Sequence, residues 1–363
     1  MRSVDNPRHH LGTEREGMMT WRIKNRQHSP KESWVRMRTF SPILRAALTG
    51  AALLLSASCG AATTPTVATP AASQQAAHRP PAPLKEPAIV AFDTQNGTLE
   101  YWPIKHGGGQ TLQPLSGPLG IYDGYGLASF DKTIVIANYS PPEVVTYDLK
   151  TKAEKTMADP FGQPYDIAVD TTGNLYALSS TNVAVYKIGS SQPTELTCSK
   201  ITTAEGIAVD RESDVFVTGY GPNFMGVVEF RERSTQCIVP HLRAMRGYIG
   251  GIGIDPTTDD LIVVDDPDLC AGGIEGRMII YPKPYEQHTS VRRVLNANYC
   301  SGMIRLDAGA SHIFYADATV SDGYPLIEQA RYPSGKWEGT YEDGYYSGGN
   351  FAGFTVMPNG VPN

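Results

Sequence analysis

Five times along this chain an apolar run ends in an aspartate, passes through a short polar turn and resumes as a second aliphatic and aromatic run. "YDIAVDTTGNLYAL" (165–178) and "EGIAVDRESDVFVTG" (205–219) match almost residue for residue, and "GGIGIDPTTDDLIVVDD" (250–266) adds a longer turn. "YGLASFDKTIVIAN" (125–138) and "SGMIRLDAGASHIFYAD" (301–317) are looser copies. The anchor aspartates Asp131, Asp170, Asp210, Asp255 and Asp307 stand 39, 40, 45 and 52 residues apart. Self-similarity at such a period means stacked supersecondary units rather than one irregular core.

Each copy is followed by a second pair of strand-like runs, such as "EVVTYDLKTKAEKTM" after the first and "VAVYKIGSSQPTEL" after the next. Every unit therefore reads as four short strands joined by tight turns. Four-stranded antiparallel units that cannot bury their own faces are the blades of a propeller. A sixth copy, "AGFTVMPNG" (352–360), puts Met357 at the anchor and has room for one strand only. Its missing partners stand at the other end of the domain, as "AIVAFD" (88–93), "TLEYWPI" (98–104) and "QTLQPL" (110–115). The expectation is an all-β, six-bladed β-propeller closed by pairing N- and C-terminal strands in one blade, which removes exposed sheet edges.

The "GIAVD" run with its following "LYAL" or "VFVTG" resembles the NHL-type repeat. It is also similar to the wider group of six-bladed propellers that includes gluconolactonase-like, strictosidine-synthase-like and virginiamycin B lyase-like proteins. The resemblance covers residues 88–363. It implies an architecture far more than an activity, because such folds host unrelated functions.

Ahead of the repeats, residues 37–60, "MRTFSPILRAALTGAALLLSASCG", hold a basic start, an uncharged run too short to span a bilayer and a small-residue end. That is the layout of a secretory signal peptide. Residues 1–36 fit no such layout and are read as a non-native or dispensable extension, with translation beginning at Met37. "LSASCG" resembles a bacterial lipoprotein processing site with Cys59 as the lipidated residue, although Leu55 lies one position early. Ordinary cleavage after Ser58 is the competing reading and would give a soluble periplasmic or secreted protein. Residues 60–87 are Ala/Thr/Pro-rich and read as a disordered tether. By the same resemblance, Gly60 after the cysteine points to the outer membrane or cell surface of the bacterial envelope. The only membrane contact expected is through the lipid anchor.

Without Cys59, four cysteines remain, Cys198, Cys237, Cys270 and Cys300. An even number in an oxidising compartment reads as disulfides, and three pairings are open. Cys270 and Cys300 fall on one face of neighbouring blades; Cys198 and Cys237 lie near outer strands of neighbouring blades and would pair by default. No two stand at zinc-ligand spacing.

Charge excludes one class of partner. The formal net charge is −6, residues 1–45 carry +6, and the remainder therefore carries −12. Nucleic acid is bound through Lys/Arg neutralisation of phosphates, so such a body is no nucleic-acid binder.

Propeller ligands sit at the mouth of the central channel, where loops before the innermost strands meet loops between second and third strands. Asp123, Tyr125, Tyr165, Asp166, Glu205, Tyr248, Tyr299 and Ser301 fall there, together with the loop "DDPDLCAGGIEGR" carrying Asp265, Asp266, Asp268 and Glu275. Resemblance to the lactonases implies a divalent cation held by Glu, Asn and Asp, and oxygen-only ligands would suit Ca²⁺ or Mg²⁺. That set has no residue-by-residue match here, nor has the lyase His/Glu pair, and neither GxSxG nor HExxH occurs. The acid-rich loop is read as a solvated turn ahead of a Ca²⁺ site. His241, His288 and His312 fall at outer or second strands and read as structural.

One residue breaks the repeat's own rule. The innermost-strand column runs Ser129, Ala168, Ala208, Gly253, Arg305 and Thr355, five small residues and one arginine. A guanidinium there must be paired or reach the channel. It either meets a neighbouring-blade acid such as Asp265, Asp266 or Asp317, or binds an anionic ligand. The reading that follows is an exported binding or interaction module for a protein, carbohydrate or small-molecule ligand. A metal-dependent lactonase-like hydrolase or lyase is the alternative, and the oligomeric state is left open.

Overall fold

In the computed structural model the described residues are 87–357, apart from 106, 110–112, 122, 246, 267–275, 286–290, 292, 297–300, 318–325 and 342–350. All lie in the unit Ala72–Asn363. The leader, the tether and Cys59 lie outside the described residues, as do Cys270, Cys300, Asp268 and Glu275.

The apolar runs form six antiparallel sheets, five of four strands and one of five. We number the blades by their innermost strands: Gly124–Phe130, Asp166–Val169, Thr203–Val209, Tyr248–Ile254, Ser301–Leu306 and Phe351–Met357. These strands touch one another in that order, and the sixth also touches the first, so the ring is a six-bladed propeller. In blade six, Phe351–Met357 pairs with Ala88–Asp93, which pairs with Thr98–Pro103 and then with Gln113–Pro114.

Sheets stacked around an axis bury both faces, which is why strands such as "TIVIAN" carry continuous rather than alternating apolar residues. The core is correspondingly divided into layers between blades. Leu178, Val183 and Val185 of blade two meet Ile207, Val217 and Val228 of blade three in one such layer.

The anchor aspartates cap the turn between first and second strands. Asp170 accepts the backbone N–H groups of Thr172 and Asn174, each at 2.9 Å, and the Tyr176 hydroxyl at 2.9 Å. Burial opposes its charge, but these donors with the Asn174 and Thr172 side chains outweigh it and hold the carboxyl down to about 2. Asp131 departs from this pattern. Its turn has only two residues between Phe130 and Thr133, so it is exposed and adopts φ 50° instead of capping.

Between the third and fourth strands of blade six the segment Gly107–Gly109 leaves its blade and pairs in parallel with Lys336–Tyr341, the outermost strand of blade five. A Cβ on Gly108, whose φ is +81°, would overlap the Thr340 backbone, so the strap requires glycine. The Tyr341 hydroxyl accepts the Lys105 N–H at 3.0 Å and donates to Gln329 Oε1 at 2.6 Å, locking the strap's root.

A disulfide joins Cys198, just beyond the outermost strand Thr194–Thr197 of blade two, to Cys237 in the outermost strand of blade three. Their Cα atoms are 5.7 Å apart, so the pair has the reach that the sequence left in question.

At the axis, Ser129, Ala168, Ala208, Gly253, Arg305 and Thr355 line one cavity of about 180 Å³. Arg305 finds no acid on a neighbouring blade, contrary to the sequence expectation. Asp265 is held by Arg277 of its own sheet, whose Nε lies 2.7 Å from Asp265 Oδ2. The guanidinium crosses the channel from blade five to the opposite blade two, where Nη2 lies 3.0 Å from Asp166 Oδ1. Nη2 also donates to the Leu127 carbonyl of blade one at 3.0 Å. Asp166 in turn accepts the N–H of Ile167 at 2.8 Å and that of Ile207, in blade three, at 3.1 Å.

Removing one partner of such an enclosed pair strands the other. Arg305→Met is expected to destabilise the protein by roughly 3 kcal/mol. Arg305→Met/Asp166→Asn should cost less than the two single changes summed. Denaturant midpoints of the four proteins measure this, and an unchanged midpoint for Arg305→Met would remove the pair from the account. The disulfide closes a 39-residue separation. Its loss in Cys198→Ser/Cys237→Ser should lower stability by about 3–4 kcal/mol in the chain-entropy account, measured under identical non-reducing conditions.

Candidate functional site

The starts of the innermost strands and the ends of the second strands share one face of the disc, the mouth of the channel. The anchor turns lie on the opposite face.

Irregular register decides which side chains crowd the mouth. The innermost strands of blades one, three, four, five and six are each interrupted near their start, between Gly124 and Leu127, Ala204 and Gly206, Ile249 and Ile252, Ser301 and Ile304, and Phe351 and Phe354. A bulge leaves its extra residue unpaired and re-aims its side chain. Tyr125 and Glu205 are such residues.

Around blade one, Tyr125 and Tyr139 meet edge to face with ring centroids 5.4 Å apart, and both remain exposed. Burial first, and then the nearby Asp123 carboxylate, raise the Tyr125 hydroxyl above its ordinary value. Asp123 is itself exposed, and its backbone carbonyl accepts the Tyr139 N–H at 2.8 Å.

Around blades two to four the groups are closer together. The Tyr165 hydroxyl donates to the Ala204 carbonyl at 2.5 Å, beside Glu205. Tyr248 stacks at a tilt on Tyr220, centroids 5.8 Å apart, and its hydroxyl stands near the Glu205 carboxylate. Burial raises the Glu205 carboxyl above the usual carboxylate range, and the nearby Tyr248 hydroxyl only partly counters it. Burial and the Glu205 charge likewise raise Tyr165 and Tyr248.

The acids expected at the mouth thus divide by role. Asp166 belongs to the channel ion pair. Asp265 is buried; its Oδ1 accepts the Gly247 N–H at 2.8 Å, and its partner Arg277 donates to the Ala244 carbonyl at 2.6 Å. It therefore pins the segment leading into blade four. Asp266 ends a second strand opposite Tyr248. Asp123 and Glu205 face the tyrosines. Tyr139 and Tyr220 were not picked out from the sequence, though each follows a second strand's apolar run at equivalent places, after "IAN" and "VTG".

Among the described residues, Asp123, Asp166 and Glu205 do not form a group close enough to share an ion. The acids that do are Asp210, Glu212 and Asp214, in an anchor turn on the other face. There the Lys283 ammonium already bridges Asp210 Oδ2 at 2.9 Å and Glu212 Oε2 at 2.8 Å. Burial works against that ammonium, but the two carboxylates outweigh it and raise its pKa. Beside the turn a cavity of about 560 Å³ is lined by Glu212, Asp214, Glu229, Arg231, Lys283 and Tyr285. His312 is structural in its contacts, with Nδ1 2.9 Å from Asp307 and Nε2 3.2 Å from Glu338.

No protein-family profile matches the sequence, and no curated protein matches it. Among solved structures, one chain of a crystal structure of a nidogen/laminin complex is similar, with TM-score 0.59 and 16% identity over 74% of this chain and 98% of that chain. The crystal structure of TolB from Acinetobacter baumannii gives TM-score 0.57 and 12% identity over 75% of this chain and 66% of that chain. At such identities the likeness carries the six-bladed β-propeller and nothing finer.

Proposed function

We propose that this protein is an exported, lipid-anchored binding module of NHL-like repeat type, which presents the channel mouth to its ligand. The observation that carries the reading is the mouth itself. Tyr125, Tyr139 and Tyr220 stay exposed on a rim held by backbone bulges and tertiary hydrogen bonds, above a channel crossed by the Arg305–Asp166 pair. Large, stiff amphipathic rings give contact area at small entropic cost, which suits recognition. The Cys198–Cys237 disulfide agrees with an oxidising compartment. The signal-like run ending at Cys59 supports an anchor outside the inner membrane.

The described mouth acids do not favour a lactonase-like metal centre, because Asp166 is already committed to Arg305 and to two backbone N–H groups.

Anchoring and recognition are tested separately. The full-length protein should fractionate with membranes and incorporate an alkyne-tagged fatty acid, and Cys59→Ala should appear in the soluble fraction. Membrane association unchanged in Cys59→Ala would overturn the anchor. For recognition, native-state ligands raise the melting temperature by mass action. A thermal-shift panel of sugars, peptides, amines, Ca²⁺ and EDTA should yield responses that Tyr220→Ala abolishes and the opposite-face change Glu212→Gln leaves intact. Responses that persist in Tyr220→Ala and vanish in Glu212→Gln would move the ligand surface to the other face.

A further inference from the structure

Among the acids of the mouth, Glu205 stands out. It is the extra residue of the bulge between Ala204 and Gly206, so its side chain is aimed out of the sheet. Its carboxylate is half-buried, and the hydroxyl of Tyr248 stands near it. No described cation pairs with it, whereas several buried acids near the axis and in the neighbouring turns have one. Asp166 has Arg305, Asp265 has Arg277, Asp210 has Lys283 and Asp259 has Arg211. A partly desolvated carboxylate without a counter-charge is costly unless something brings one.

The surroundings select what that something is. Tyr165, Tyr220 and Tyr248 stand about Glu205, with Tyr220 and Tyr248 set at 54° to each other and Tyr220 open to solvent. Ca²⁺ and Mg²⁺ require several oxygen ligands, and among the described side chains one carboxylate is available here, since Asp166 is committed across the channel. An anion would be repelled by Glu205 and would find the Arg305 guanidinium already paired. A cation with an apolar exterior satisfies both halves of the site: its charge faces the carboxylate and its alkyl surface lies on the ring faces. We infer that the Glu205–Tyr165–Tyr220–Tyr248 cluster is a binding site for an organic ammonium group, borne by a quaternary or a protonated primary amine. This rests on the mouth being the ligand surface and specifies its chemistry.

The test titrates the full-length protein with tetramethylammonium chloride and with n-butylammonium chloride. The controls are NaCl at matched ionic strength and tert-butyl alcohol as a neutral isostere, with heat of binding and melting temperature as readouts. At least one ammonium ion should bind saturably where the controls do not. Glu205→Gln, which keeps an oxygen near Tyr248, should weaken that binding about tenfold or more. Tyr220→Ala should weaken it similarly, and Tyr220→Phe should retain it because the ring face survives. Equal response to tert-butyl alcohol, or undiminished binding in Glu205→Gln with a wild-type melting temperature, would overturn the assignment. A saturable response to maltoheptaose that Tyr220→Ala abolishes, with none to either ammonium ion, would overturn the cation while leaving the mouth as the ligand surface. A panel whose responses all map to the opposite face would overturn both.

Discussion

Six sheets can converge on one axis only if the residues at the axis are small, and this chain obeys that constraint everywhere but at Arg305. The exception crosses the ring. From blade five the guanidinium reaches the Leu127 carbonyl of blade one and the Asp166 carboxylate of blade two, and Asp166 passes the contact on to Ile207 of blade three. One enclosed ion pair thereby ties four of the six blades together through the centre, where apolar layers between neighbours cannot act. Its arginine also lines the small-residue cavity at the axis.

Blade number, strand order and the seam were legible because they follow from local pattern: apolar runs, an aspartate that caps its own turn, and a recurring length. What the pattern could not give was the partner of Arg305, which lies 139 positions away and adjacent only once the ring has formed. Yet a trace of it was present. The residue before each innermost apolar run is Gly126, Asp166, Gly206, Gly251, Gly302 or Gly353, five glycines and one acid. The glycines let neighbouring strands approach; a Cβ on Gly353 would overlap the Tyr125 carbonyl oxygen. Asp166 and Arg305 are thus the two breaches of the repeat in adjoining columns, and they answer each other. The disulfide was read only as a pairing by default, although the repeat carried a signal for it. Cysteines 39 residues apart, in copies whose anchors are 40 apart, occupy equivalent places on neighbouring blades and must lie side by side.

The mouth was only half legible. Tyr125, Tyr165 and Tyr248 stand before innermost strands and can be placed from the repeat, but whether their neighbours converge depends on the bulges. A register shift moves side chains between faces of a sheet, and no short-range sequence signal marks it here beyond the glycine that follows. The Gly107–Gly109 strap was hidden for a related reason: its pairing is parallel and belongs to the next blade, so it matches no strand of the repeat.

The two faces of the disc handle charge differently. On the anchor-turn face, cations of one blade reach carboxylates of the next: Arg211 pairs with Asp259, Lys283 with Asp210, and Arg233 stands 3.6 Å from Asp170. These aspartates are already held by their turns, so little further order is lost in receiving the neighbour's charge, and the face becomes a self-neutralised clasp between blades. Among the described residues Glu205 has no such clasp. It stands on a bulge, among rings, with a phenol hydroxyl in place of a cation. Several buried acids take a cation from the chain itself; Glu205, half-buried among rings at the mouth, has none among the described residues, and an organic ammonium group would complete its charge from outside.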